Sequence, residues 1–269
     1  VTLIDSGLND TTARKVLRVV RDDLRSEVVS IINTHGHADH FGANAFLYRR
    51  SRCEFWAPTI EAAVIANPIL QPVLLFGGAD PLDALRNKFL LAESAPVTGE
   101  IPIGTWEHRG TQIEVVPLPG HSPNQVGFLI DGAFFVADVV FPSVAIEKYR
   151  IPYLFGLTDQ LASLESVGNI AASRIIPGHG EAPESIDGLR GINLEAINRT
   201  IEALLELLSE PLSGDTLAGM VFARLEVPVT DAQSYFLLRP TISAYLAHLE
   251  RIDAITFEVT GGTSTWRRT

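Results

Sequence analysis

His35-Gly36-His37-Ala38-Asp39-His40 is the stretch on which the fold and chemistry of this 269-residue chain depend. It follows an apolar run, residues 28–33, whose length and β-branched side chains predict a buried strand. A helix is predicted to begin shortly after it, over residues 43–47. The stretch therefore lies on a strand-to-helix loop, where a rigid scaffold commonly presents functional groups.

Three imidazoles and a carboxylate within six residues suit a metal site better than a hydrophobic core. The whole chain has seven histidines and three of them are in this stretch, so a chance cluster is a poor explanation. The spacing allows His35 and His37 to point toward one ion, while Asp39 and His40 turn toward a second.

Length and composition restrict the class of protein. A chain of 269 residues forms one large domain, or one domain with a small appendage. The net charge of −11 argues against a nucleic-acid-binding or anionic-membrane-binding surface. Cys53 is the only cysteine, which excludes an intrachain disulfide and favours a reducing, cytoplasmic location. We interpret Cys53 as a small buried side chain and expect no membrane-spanning segment.

The first two thirds of the chain alternate strand-like and helix-like patterns, which indicates an α/β layered domain. Apolar residues at helical spacing predict one helix over residues 9–24 and another with a buried stripe over residues 161–170. The predicted strands cover residues 1–4, 28–33, 54–57, 112–116, 126–130, 133–137 and 174–176. Asp131-Gly132 between two apolar runs predicts a hairpin turn. Residues 58–99 are interrupted by prolines and glycines, and this segment either covers a pocket as a flap or packs onto the sheet.

The pattern becomes mostly helical after Ser185. An amphipathic stripe begins at Leu194, further helices are predicted at 216–225 and 231–251, and a hairpin at 255–267. Helices followed by a hairpin suggest a winged-helix-like appendage. The sequence therefore predicts a catalytic domain over residues 1–184 and a C-terminal region over 185–269.

Three more metal-binding side chains follow predicted strands and stand next to glycine or at a strand end. They are His121 in Pro-Gly-His-Ser-Pro, Asp138 after residues 134–137, and His179 in Pro-Gly-His-Gly. Glycine allows the backbone to turn sharply and approach closely. Because strand ends of a layered α/β sheet converge on one rim, all these segments can reach one point.

The inventory is five histidines and two aspartates, more than one zinc-type ion needs. We expect two divalent ions, with zinc ahead of iron or manganese. The arrangement that uses every ligand places His35, His37 and His121 on the first ion. The second takes Asp39, His40 and His179, and Asp138 bridges the two.

These motifs, HGHADH, PGHSP, VAD and PGHG, resemble the ordered series of the metallo-β-lactamase superfamily, and more closely its glyoxalase II-like branch. The resemblance covers residues 1–184 and implies an αββα sandwich with a dinuclear metal centre at one rim and hydrolysis as the usual activity. It carries the ligand roles onto all seven side chains, and the tail resembles the winged-helix-like extension of some members. Members usually have two strands ahead of the segment at residues 3–7, so we expect further N-terminal strands outside this numbering.

The resemblance implies a hydrolase in which activated water attacks an ester, thioester or lactone, with Asp39 both ligating metal and orienting the water. The substrate is a small molecule whose identity the sequence leaves open, because thioester, lactone, phosphodiester and β-lactam cleavage are all compatible with the same metal core. Lys148 and Tyr149 stand where they could meet an anionic substrate such as a glutathione or coenzyme A thioester. A solvated surface turn explains the same two residues more simply.

Two other functions stay open. A persulfide-dioxygenase-like oxidoreductase would use one iron held by a subset of the same motifs. A DNA-binding regulator would use the C-terminal region, but from Ser185 onward eleven acidic residues oppose seven arginines and no lysine, which disfavours nucleic acid. We expect that region to pack over the active-site rim or to form a homodimer contact. His108 and His248 fit no ligand position and are predicted to be surface or helix-face residues.

Overall fold

The computed structural model describes all residues from Val1 to Thr269. The chain divides into two compact units. The first unit comprises Val1–Pro117 and Ser122–Ile130, and the second comprises Leu118–His121 and Asp131–Thr269. None of the helices has the length and apolar content needed to cross a membrane.

A parallel four-stranded sheet organises the first unit. Its strands run in the order β1 (Thr2–Ile4), β2 (Ser30–Ile32), β3 (Glu54–Ala57) and β4 (Gly99–Glu100). Strand β2 is fully buried in the middle of the sheet, as its continuous apolar pattern predicts. The short edge strand β4 was not predicted, because two residues carry no periodic signal.

Five α-helices belong to this unit: α1 (Asp10–Asp22), α2 (Ala38–Phe41), α3 (Asn44–Ser51), α4 (Thr59–Ala66) and α5 (Leu70–Leu75). A short 3₁₀ helix follows at Asp83–Leu85. Helix α1 begins after Asn9, whose side-chain oxygen accepts hydrogen bonds from the backbone N–H groups of Thr11 and Thr12. Its buried face joins a core cluster that includes Leu47 and Phe55. The helix predicted over residues 9–24 is therefore confirmed.

An antiparallel meander completes the first unit, formed by β5 (Gly104–His108), β6 (Thr111–Pro117) and β7 (Val126–Ile130). Strand β5 was not predicted, since its alternation is short and includes polar residues. The segment between β3 and β4 places Leu85, Leu90 and Ala95 in the interior, so it packs at least in part onto the unit. Leu74 and Phe89 of the same segment are exposed.

The second unit begins with a parallel strand pair, β8 (Ala133–Ala137) and β9 (Arg174–Pro177), with helices α6 (Ser143–Tyr149) and α7 (Leu157–Gly168) between them in the chain. Asp131 and Gly132 both have positive φ, the backbone that an Asp-Gly hairpin turn requires. Leu164 and Val167 of α7 are fully buried, as the predicted stripe required.

The C-terminal elements follow in the same unit. They are α8 (Ile186–Leu207), α9 (Gly214–Arg224), α10 (Ala232–Arg251) and an antiparallel hairpin of β10 (Ile255–Thr260) and β11 (Thr263–Arg268). Leu212 bridges to Trp266 of the hairpin through paired backbone hydrogen bonds. The predicted helices and hairpin are confirmed, whereas the winged-helix assignment and the domain boundary at residue 184 stay predictions.

Candidate metal centre

The first unit carries four of the seven predicted ligands between β2 and α3. His35 and His37 lie in the loop, with ring centroids 4.6 Å apart, and His35 is fully buried. The sequence analysis placed all four side chains on a loop. In the structure Asp39 and His40 lie in the short helix α2. The first turn of a helix favours an acidic side chain such as Asp39, because backbone N–H groups are exposed there.

A carboxylate that the sequence analysis did not select, Asp5, organises these ligands from the end of β1. Its oxygens accept hydrogen bonds from the Thr34 backbone N–H and the Thr34 hydroxyl, both at 2.8 Å, and from His40 Nδ1, also at 2.8 Å. The Asn33 side chain donates to it at 3.2 Å. An aspartate at a strand end before Ser6-Gly7 is the signal that could have identified it.

These contacts determine the tautomers of two histidines. His40 Nδ1 must carry a proton, because its partner is a carboxylate oxygen of Asp5 that only accepts. The Thr34 hydroxyl gives its proton to Asp5, so its oxygen accepts from His35 Nδ1 at 2.9 Å. In the neutral form both rings then have their lone pair on Nε2. This is the arrangement of a metal-binding histidine whose other ring nitrogen donates a hydrogen bond to an oxygen.

We predict that Asp5→Asn weakens metal binding about 10–100-fold, the usual effect of losing an outer partner of a ligating histidine. Asparagine offers one acceptor oxygen and an NH₂ group, so at least one of the donors around Asp5 would face another donor. Isothermal titration of the metal-depleted protein with Zn²⁺ measures the change. An affinity equal to wild type would show that Asp5 does not orient a ligand.

The second unit carries His121, Asp138 and His179, each just after a strand. Asp138 Oδ2 lies 3.1 Å from His179 Nε2 and 3.6 Å from His121 Nε2, so the three side chains form one cluster. His121 and Asp138 are buried, whereas the His179 side chain is 40% exposed. The Tyr153 carbonyl oxygen accepts from His121 Nδ1 at 3.2 Å, which again puts the lone pair of the neutral ring on Nε2.

A C-terminal helix supports this cluster through Phe141. The Phe141 ring lies 5.4 Å from that of His121 and 6.3 Å from that of His179, centroid to centroid. Asn193 of α8, which is buried, accepts from the Phe141 N–H at 3.0 Å and donates to its carbonyl at 2.8 Å. The sequence analysis selected neither Phe141 nor Asn193 as functional, because the two residues lie 52 positions apart in the chain and no local pattern connects them.

The chemistry of the donor set fits a transition-type metal ion. Imidazole nitrogens and carboxylate oxygens are the ligands that zinc, iron and manganese accept. Groups drawn from these His and Asp side chains could hold a metal ion. The identity and number of the ions do not follow from the side chains alone.

The remaining predicted residues have different surroundings. Lys148 and Tyr149 lie at the end of α6, and the Lys148 ammonium donates to the Tyr149 hydroxyl at 2.9 Å. The prediction that His108 is a surface or helix-face residue is wrong. His108 lies in strand β5, is 5% exposed and forms a hydrogen bond with the Ser30 hydroxyl at 2.8 Å. Burial lowers the pKa of His108 below its ordinary value, as expected for an imidazole kept neutral in a core. His248, on a helix face, bonds to the Thr158 hydroxyl.

Cys53, which the sequence analysis interpreted as a small buried side chain, is 3% exposed in the core of the first unit. Burial raises the pKa of its thiol, which disfavours the reactive thiolate. The prediction of a structural cysteine is confirmed.

A family model described as the metallo-beta-lactamase superfamily matches residues 1–179. This match covers all seven predicted ligands and well over half of the chain. The chain belongs to the metallo-β-lactamase superfamily.

Individual proteins are also similar to this superfamily member in sequence or in fold. It is 28% identical over 141 residues to a hydroxyacylglutathione hydrolase from Haemophilus influenzae, an alignment that covers 52% of this chain and 60% of that protein. A metallo-beta-lactamase family protein from Thermus thermophilus superposes with a TM-score of 0.74 at 20% identity, covering 99% of this chain and 89% of the other. A di-iron-bound form of the protein TTHA1623 matches with a TM-score of 0.50 at 22% identity, covering 72% and 86%.

The predicted fold class, α/β of the metallo-β-lactamase type, is thereby confirmed. The chain belongs to a superfamily that consists mostly of metallo-hydrolases and binds divalent metals, and it has a glyoxalase II-like relative at low identity. The chain spans less than two thirds of the length of that relative, so the activity and substrate of the whole protein are matters for proposal.

Proposed function

We propose that this protein is a dinuclear metallo-hydrolase that cleaves an ester, thioester or lactone. In this proposal His35, His37 and His121 would hold one divalent ion, and Asp39, His40 and His179 would hold the other. Asp138 would contribute its carboxylate to both. The proposal rests on a feature that His35, His40 and His121 share. In each ring Nδ1 donates a hydrogen bond to an oxygen atom, which prepares Nε2 for a metal.

The side chains have distinct roles in the proposed reaction. When bound, divalent ions supply Lewis acidity and lower the pKa of water toward about 7. The Asp39 carboxylate, whose side chain is 42% exposed, is reachable by water, so we propose that it orients the attacking molecule. The buried Asp138 carboxylate lies beside the Nε2 atoms of His121 and His179. Its negative charge would offset the positive charge of the bound ions.

The proposed substrate class is a thioester or related acyl compound. The similarity to a hydroxyacylglutathione hydrolase supports a thioester, and one cation near an acyl site would suit an anionic leaving group. Lys148 is our candidate for that cation, with Tyr149 beside it. The cation–π contact between the Lys148 ammonium and the Tyr149 ring, at 4.6 Å, keeps these two groups together on the surface.

The C-terminal region is proposed to support the ligands of the second unit rather than to bind DNA. Asn193 of α8 fixes the backbone of Phe141, which packs against the His121 and His179 rings. The excess of acidic residues after Ser185 also disfavours a DNA surface. Tight, salt-sensitive binding to duplex DNA would contradict this role.

Metal content per chain is the decisive measurement, made on protein purified without chelators or added metal. We expect about two ions per chain together with hydrolysis of at least one member of a panel of esters, thioesters and lactones. Chelator treatment should abolish that hydrolysis, and added Zn²⁺, Mn²⁺ or Fe²⁺ should restore it. One iron per chain, together with oxygen uptake in the presence of a persulfide, would contradict the proposed hydrolase function and support the persulfide-dioxygenase-like oxidoreductase instead.

A further inference from the structure

Glu61 of α4 is a buried carboxylate whose hydrogen bonds go to the segments that carry predicted ligands. It is 2% exposed. Its Oε2 accepts from the Gly36 backbone N–H at 2.8 Å. Its Oε1 accepts from the Ser122 hydroxyl and from the Asn124 backbone N–H, both at 2.8 Å. All these contacts lie within the first unit.

The location of those donors gives Glu61 its significance. Gly36 lies between His35 and His37 in the chain, and Ser122 directly follows His121. One carboxylate therefore holds the peptide between two predicted ligands and also the residue next to a third. Burying a charged carboxylate is unfavourable unless hydrogen bonds compensate, so an apolar side chain would suit a purely structural position in the core better.

The packing around Gly36 shows how closely the ligand loop approaches Glu61. A Cβ atom added at Gly36 would lie 3.0 Å from Glu61 Oε2, 3.1 Å from the Val64 Cβ and 3.2 Å from the Glu61 carbonyl oxygen. The loop thus passes so close to α4 that a side chain at Gly36 would require its neighbours to shift by a few tenths of an ångström. The N–H of Gly36 reaches the carboxylate directly, which fixes the plane of the peptide between His35 and Gly36, one residue before His37.

We infer that Glu61 is a positioning residue of the metal centre, which sets the geometry of the His35–His37 loop through its bond to Gly36. The inference rests on the proposed function, since it requires that this loop bind metal. Glutamine at this position would keep the size but replace one acceptor oxygen by an NH₂ donor. That donor would face either the Gly36 N–H or the Asn124 N–H, so one of these bonds would be lost.

The test is a Co²⁺ titration of the metal-depleted full-length protein, followed by the visible absorption of the bound ion. The variants are Glu61→Gln and Ser30→Ala. Ser30 is a control from the same unit, because it is fully buried and its hydroxyl bonds to His108 instead of to a ligand segment. Thermal unfolding of the metal-free forms reports stability independently of metal.

We expect Glu61→Gln to weaken Co²⁺ binding about 10–100-fold and to change the absorption spectrum, while Ser30→Ala leaves both unchanged. Wild-type affinity and spectrum in Glu61→Gln, or an equal loss in Ser30→Ala, overturns the inference. If Glu61→Gln does not fold, Glu61→Asp replaces it, because the shorter side chain keeps the charge but cannot reach both Gly36 and Asn124, and unchanged binding there has the same meaning. Wild-type protein that binds no Co²⁺ refutes the proposed function itself.

Discussion

His37→Ala is expected to reduce hydrolytic turnover about 10³-fold or more while leaving the fold intact. His37 is partly exposed at the start of α2 and is not part of the apolar core, so its loss should change stability little. A metal centre contributes several kcal/mol to transition-state stabilisation, and about 1.4 kcal/mol corresponds to a factor of ten. Turnover and metal content of the variant, with circular dichroism as the check of fold, measure the effect.

Asp138→Ala tests the second unit in the same way, with the same expected loss of turnover. Its carboxylate oxygen lies 3.6 Å from His121 Nε2 and 3.1 Å from His179 Nε2. His248→Ala is the matched control, because it removes a histidine that bonds to Thr158 and belongs to no ligand group. Metal-depleted His37→Ala protein with wild-type turnover would exclude the proposed mechanism.

Gly120→Ala is expected to destabilise the protein by about 3–5 kcal/mol, near the upper end for single substitutions. Gly120 has a φ of +132°, a conformation that L side chains rarely adopt. An added Cβ would lie 2.4 Å from Gln160 Cα and 2.5 Å from Gln160 N, which are backbone atoms that cannot move aside cheaply. The Gly120 carbonyl also accepts from the N–H groups of Phe155 and Gly156, both at 2.9 Å.

Urea unfolding of wild type, Gly120→Ala and Gly188→Ala measures that effect. Gly188 lies in α8 of the same unit with open space around its position, so alanine there should stabilise the protein by about 0.4–1 kcal/mol. Because Gly120 directly precedes His121, we also expect Gly120→Ala to lose metal affinity. A free energy of unfolding within about 0.5 kcal/mol of wild type for Gly120→Ala would show that the backbone relaxes around the new methyl group.

The sequence by itself determined the superfamily, the order of most strands and helices, and the candidate ligands. HGHADH and the short glycine-flanked motifs of His121 and His179 carry this information locally, because a strand end, a turn and a ligand are adjacent in the chain. Periodicity likewise identified α1, α7 and the C-terminal helices, whose buried faces repeat along one segment. Strands β4 and β5 escaped detection because short strands give too few repeats of a period of two.

The partners of the ligands were decided only by the tertiary structure. Asp5 bonds to His40 across 35 positions, Glu61 to Ser122 across 61, and Asn193 to Phe141 across 52. His108, predicted to lie on the surface, is buried because β5 brings it to Ser30, 78 positions away. Such pairs leave no periodic or local pattern, since each side chain alone is an ordinary polar residue. Their roles arise only where folding excludes water from both partners and makes the hydrogen bond between them necessary.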